Sequence, residues 1–126
     1  MAELYLADAC ALIVFMAEGT MSPAMRAVME TGDVAVSPVT VWEITRKASI
    51  GKLLAQWQPG TLEALLTRQG FSQSPLTWDD AERANTLPPV HKDPMDRMLI
   101  AQALRLGAVI VTSDRLFEGY GVTTLW

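Results

Sequence analysis

The chain has 126 residues, half of them hydrophobic, with a single cysteine and a net charge of −4. That length suits one domain spanning 1–126 with one core, and the apolar share excludes a disordered chain. The acidic balance argues against a broad phosphate-binding surface, but not against phosphodiester chemistry if the acids are gathered in one place.

The most apolar N-terminal run, from Leu4 to Ala17, is broken by Asp8. It falls short of the roughly 20 residues of a membrane-spanning helix. Glu3 precedes it without any Lys or Arg, which makes it a poor signal peptide. Cys10 alone can form no internal disulfide, which fits a cytoplasmic protein.

Leu4 to Ala7 reads as a buried strand that runs straight into Asp8. Ala11 to Ala17 can form a short helix. Ser22-Pro23 is a helix start, with serine as cap and proline in the first turn; that helix runs to about Glu30 and stops at Gly32. Val34 to Val36 is a second strand, and Ser37-Pro38 opens a helix ending near Gly51. A further helix spans about Gly60 to Gln69. The stretch around Ser74-Pro75-Leu76 is a candidate third strand. Thr77 with Asp80 resembles a capping box for a helix through Asn85.

Pro88-Pro89 forces an extended loop. Asp93-Pro94 starts a helix that ends at Gly107. Ala108 to Val111 is a strand, followed two residues on by Asp114, and Gly121 to Leu125 is a short last strand. Strands alternating with helices predict an α/β fold, a parallel sheet covered by helices on both faces.

Ligands of such sheets bind outside the carboxyl ends of the strands, where the strand order reverses. Asp8 and Asp114 each follow a strand, so they become neighbours if those strands pair centrally. Each alone also reads as a helix cap or turn residue. Asp96 shares a helix face with Leu99, Ile100 and Ala103, while Arg97, Ala101 and Arg105 mark the wetter side. A carboxylate heading an apolar stripe needs a partner, or else serves the helix dipole. Asp93 reads as the cap of that helix. Glu43 lies within the helix opened by Pro38, or in a capping box with Thr40. Arg46 and Lys47, one turn beyond, are candidate phosphate contacts or a solvated edge. His91, in a Pro-rich loop, reads as a surface residue.

Unit charges ~4 Å apart repel by about 4 kcal/mol at an effective dielectric of ~20. Convergent carboxylates therefore call for cations. All-oxygen ligation points to Mg²⁺ or Mn²⁺, and one His with one Cys makes a zinc site unsuitable. Two such ions about 4 Å apart can activate water and steady a leaving oxygen.

Leu6-Ala7-Asp8-Ala9-Cys10-Ala11-Leu12, Trp42-Glu43, the run from His91 to Ala103 and Val111-Thr112-Ser113-Asp114 together resemble PIN-domain proteins, and within them the VapC toxins of bacterial toxin–antitoxin pairs. The resemblance covers essentially the whole chain, and the run from His91 to Ala103 is its most specific part. It implies the PIN-domain fold with a parallel five-stranded sheet, a Mg²⁺ or Mn²⁺ site and endoribonuclease activity on RNA. It also implies a homodimer and a small VapB-like antitoxin partner. The four family acids map onto Asp8, Glu43, Asp96 and Asp114, which would be the catalytic and metal-binding set. Asp93 is a companion acid, Thr112 matches a family position, and Arg97 is a candidate auxiliary. Many members carry Ser or Thr, then Asn or Ser, after the first acid; here Ala9 and Cys10 stand instead. Two other classes compete with this reading. One is a non-catalytic RNA- or partner-binding module on the same scaffold. The other is a phosphatase with a nucleophilic aspartate, which would want a second Asp where Cys10 stands.

Overall fold

The structure is a computed structural model that describes residues 3–53 and 60–126. Five parallel strands form one sheet: β1 (Leu4–Ala7), β2 (Asp33–Val36), β3 (Ser72–Gln73), β4 (Val109–Val111) and β5 (Thr124–Leu125). Their spatial order is β3-β2-β1-β4-β5. The order reverses between β1 and β4, which pair centrally with Leu6 beside Ile110 and Ala7 beside Val111. This is the adjacency that brings Asp8 and Asp114 to one end of the sheet.

The helices are α1 (Ala9–Met16), α2 (Pro23–Thr31), α3 (Pro38–Ser49), α4 (Thr61–Arg68), α5 (Trp78–Ala84) and α6 (Pro94–Leu106), with a 3-10 turn at Arg115–Tyr120. The alternation of strand side chains sorts the core into two layers. Ala7, Val34, Val36 and Val111 face Leu12, Met25, Ile44 and Leu66. Leu6, Ala35 and Ile110 face Leu99, Ile100, Ala103 and Phe117 on the other side. Helices thus cover both faces, as the alternation predicts. None of the described helices is long and apolar enough to cross a membrane.

Most starts and stops fall where their chemistry places them. Ser22 and Ser37 cap α2 and α3, each with proline following. Thr77 and Asp80 form the capping box of α5. Three expectations are corrected. The edge strand is Ser72–Gln73, not Ser74–Leu76. The Ser74 N–H still donates to Val36 O at 3.1 Å, but Pro75 has no N–H to continue the ladder. Gln102, fully buried in α6, then holds Ser74 and Pro75 through its side-chain amide. The helix after Asp8 begins at Ala9, because the Asp8 carboxylate itself caps it. Finally, the Ala101–Arg105 side of α6 is wet at Arg105 but not at Ala101. α5 packs against it, Ala101 is buried, and Arg105 pairs with Asp80 at 2.8 and 3.0 Å.

That pair is a stability element. Asp80 is wholly buried, which pushes its carboxyl up, but Arg105 and the Thr77 contacts outweigh burial and hold it below the ordinary range. Its contribution is therefore present at neutral pH and lost as pH falls through the carboxylate range. Arg105→Ala strands a buried charge and is expected to cost about 2–3 kcal/mol in urea unfolding at pH 7. A change under about 0.5 kcal/mol, the size of an ordinary surface substitution, would contradict this assignment.

Candidate metal centre

Five acids and one histidine gather at the carboxyl end of β1 and β4, where α3 and α6 approach. Asp8 follows β1 directly. Its Oδ1 accepts the Ala11 N–H at 2.8 Å, so the cap reading and the site reading are both true of it. Burial pushes its carboxyl up, opposed by the Thr112 hydroxyl, the Ala11 N–H and the Lys47 ammonium. Thr112 and the α1 backbone thus orient a carboxylate that has only Ala9 and Cys10 after it. Thr112 Oγ1 also accepts the Asp114 N–H at 3.0 Å.

Asp114 caps the 3-10 turn through Oδ1 and turns Oδ2 toward His91. Glu43 projects from α3. The cap of α3 is Ser37, and the Thr40 hydroxyl donates to Ala7 O, so no Thr40–Glu43 box forms. Burial raises the Glu43 carboxyl, and Asp93 and Asp8 raise it further against the pull of Lys47. Asp93 caps α6 and accepts the Met95 N–H at 2.9 Å.

Asp96 sits at the centre. Its carboxyl is pushed up to about 7, first by burial, then by the negative charges of Glu43 and Asp93. It belongs to two triplets whose ligand atoms lie within 4.8 Å of one another: His91–Asp96–Asp114 and Glu43–Asp93–Asp96. Asp8 is in neither triplet, though its charge is felt by Glu43 and Asp96 and it feels that of Asp114. The four acids singled out in the sequence therefore come together, with Asp96 as the shared member.

His91 corrects the surface reading. It is 8% exposed, and its Nε2 lies 2.8 Å from Asp114 Oδ2 and 3.1 Å from Asp96 Oδ2. Its Nδ1 accepts the Asp93 N–H at 3.2 Å, which leaves the ring proton on Nε2. One N–H thus bridges two carboxylates that would otherwise repel. The ring leans on Phe117, with centroids 5.5 Å apart, and the His91 N–H donates to the Tyr120 hydroxyl. Phe117 and Tyr120 lie on the 3-10 turn, which no motif in the sequence announces.

Arg97 is committed elsewhere. Its guanidinium donates to the carbonyls of Ala84, Leu87, Pro88 and His91 at 2.7–3.0 Å. It staples the loop that carries His91 rather than reaching toward the acids. Arg46 lies over Trp42, with its guanidinium carbon 5.5 Å from the ring centroid, while Lys47 stands close enough to stabilise both Asp8 and Glu43.

The residues fit a divalent cation. Carboxylates gathered within 4.8 Å of one another are the chemistry of an oxygen-rich cation site, and a cation there would offset the burial and the repulsion that raise Asp96.

A family model of the PIN domain matches residues 5–122, and the chain belongs to the PIN-domain family. Its fold is similar to solved structures of low sequence identity. One is VapBC2 from Rickettsia felis bound to a promoter DNA fragment: 13% identical, TM-score 0.71, covering 97% of each chain. Another is a toxin–antitoxin complex from Klebsiella pneumoniae: 20% identical, TM-score 0.66, covering 95% of this chain and 96% of that one. A third is FitAcB from Neisseria gonorrhoeae: 17% identical, TM-score 0.63, covering 97% and 96%. No curated protein matches the sequence.

Proposed function

We propose that the chain is a divalent-metal-dependent endoribonuclease, the toxin of a bacterial toxin–antitoxin pair. The observation that carries this is Asp96, shared between two ligand triplets, its carboxyl pushed up to about 7 by burial and then by the charges of Glu43 and Asp93. Asp8, Asp96 and Asp114 would hold the principal Mg²⁺ or Mn²⁺ ion, and Glu43 with Asp93 offers a second position. A bound divalent ion supplies acidity to water and withdraws charge from a phosphodiester. The chain's own part is positional. Thr112 and the α1 N-terminus orient Asp8, His91 sets the spacing of Asp96 and Asp114, and Lys47 places positive charge beside the acids.

Membership of the PIN family and the toxin–antitoxin complexes among similar structures support the toxin reading. A cleft of concentrated negative charge is also what an arginine from a small antitoxin would seek. Such an inhibitor is expected to lay a basic side chain near Asp8 or Asp96. The homodimer and the cytoplasmic setting belong to the same proposal.

Induced expression of the chain alone in a bacterial host tests the reading. Growth should stop and cellular RNA should fragment, while Asp8→Asn is tolerated. Unimpeded growth, together with metal-independent RNA binding and no cleavage in vitro, would favour a non-catalytic binding module instead.

A further inference from the structure

We infer that the groove between α3 and the start of α6 is a nucleotide subsite, with Trp42 as the platform on which one unpaired base of an RNA strand stacks. The inference rests on the ribonuclease reading and adds to it a place for the nucleotide next to the scissile phosphate.

The groove encloses about 570 Å³, within the ~300–1,000 Å³ range of small-ligand sites. Its two walls differ in charge. The α6 wall carries only the acids Asp93 and Asp96; the α3 wall carries Glu43 together with Arg46 and Lys47, with Lys52 just beyond the helix. The chain as a whole is acidic, yet three of its ten cationic side chains converge here. Four arginines elsewhere are engaged: Arg26 with Glu30, Arg83 with Asp79, Arg105 with Asp80, and Arg97 with loop carbonyls. Among the described residues, Arg46, Lys47 and Lys52 form no ion pair, and residues 54–59 contain no carboxylate to supply one.

Trp42 lies on the α3 wall. The core side of α3 is made by Val39, Thr40, Ile44 and Ala48, so Trp42 does not serve the core. It remains 49% exposed at the mouth of the groove. Arg46, one turn on, lies over the ring and steadies it, and half of the residue stays open to a ligand. A large flat apolar surface among cations, beside a phosphodiester-cleaving centre, matches the chemistry of single-stranded RNA. Bases stack on aromatic rings while the backbone follows positive charge. A base within a duplex has no free face, so the strand must be single or splayed at this point.

The test uses the full chain carrying Asp96→Asn, which binds without cutting, and a short single-stranded RNA bearing 2-aminopurine. Binding in Mg²⁺ should quench the probe. Trp42→Ala should remove the quench and weaken binding about tenfold, within the range of one base–aromatic stack, whereas Trp42→Phe should keep most of the affinity. Melting temperatures check that each variant is folded. In the cutting-competent chain, Trp42→Ala should raise KM with kcat little changed. Unchanged affinity, quench and KM in folded Trp42→Ala overturn the subsite, as does an equal dependence on Trp42 for duplex RNA. Trp42→Ala that binds RNA normally but loses a protein partner would overturn it in favour of a protein surface. If the cutting-competent chain cleaves RNA, the ribonuclease reading stands whatever Trp42 does. If it neither cleaves nor binds, both readings fall.

Discussion

Asp96→Asn is expected to abolish metal-dependent cleavage and at the same time to stabilise the metal-free protein. Outer partners of metal ligands are worth about 10–100-fold. Losing the carboxylate shared by both triplets should therefore cost well over ~100-fold in activity. The gain in stability follows from the same geometry. The Asp96 carboxyl moves from 3.8 to about 7 on folding, through burial and the charges of Glu43 and Asp93. Between those values the folded state binds a proton that the unfolded state has released, so stability falls as pH rises from about 4 to 7. Asparagine cannot ionise. Its melting temperature at pH 7.5 without metal should exceed that of the parent, and its decline across that window should be shallower. Some slope remains, because Asp8 and Glu43 are also raised. Adding Mn²⁺ at pH 7.5 should raise the melting temperature of the parent and leave the variant nearly unmoved. A variant with the parental pH profile and the parental Mn²⁺ response would refute the assignment.

Removing the imidazole of His91 should be the next most damaging change. In His91→Ala the Asp96 and Asp114 oxygens lose the N–H that lies 3.1 and 2.8 Å from them. The Phe117 contact goes as well. We expect metal affinity and cleavage to drop by about 10–100-fold, the range for residues that orient ligands. His91→Gln separates positioning from packing. A glutamine amide can place an N–H near the Nε2 position but cannot fill the place of the ring. Gln should recover most of the Mn²⁺ affinity measured by calorimetry, while both variants lose thermal stability. Equal losses of Mn²⁺ affinity in the two would mean that the loop has collapsed and that the N–H bridge is not what matters.

The sheet was legible because its grammar is local. Short apolar runs alternate with capped helices, and Ser-Pro and Asp-Pro pairs mark where helices start. The placement of Asp8 and Asp114 followed from the same pattern, once β1 and β4 are neighbours. What stayed hidden depended on contacts distant in sequence. His91 looked like a surface residue because nothing nearby shows that Phe117 and Tyr120, more than twenty residues later, fold over it. Arg97 and Arg105 looked like unpaired charges in water; Arg105 is exposed, but neither is unpaired. One ties down loop carbonyls, and the other satisfies the buried Asp80. The edge strand was displaced because its residues are polar and exposed, so no alternation marked them. Asp93 read both as a cap and as a companion acid; it caps α6, and its carboxylate lies within 4.8 Å of those of Glu43 and Asp96.

The central claim is that these acids hold a divalent ion that cuts RNA. Its most direct test is cleavage of total bacterial RNA by antitoxin-free protein in Mn²⁺ or Mg²⁺, then in EDTA, with Asp96→Asn alongside. Discrete fragments that require the metal, vanish in EDTA and are absent with the variant are the expected result. Fragments that persist in EDTA, or that the folded variant produces at the parental rate, would contradict it.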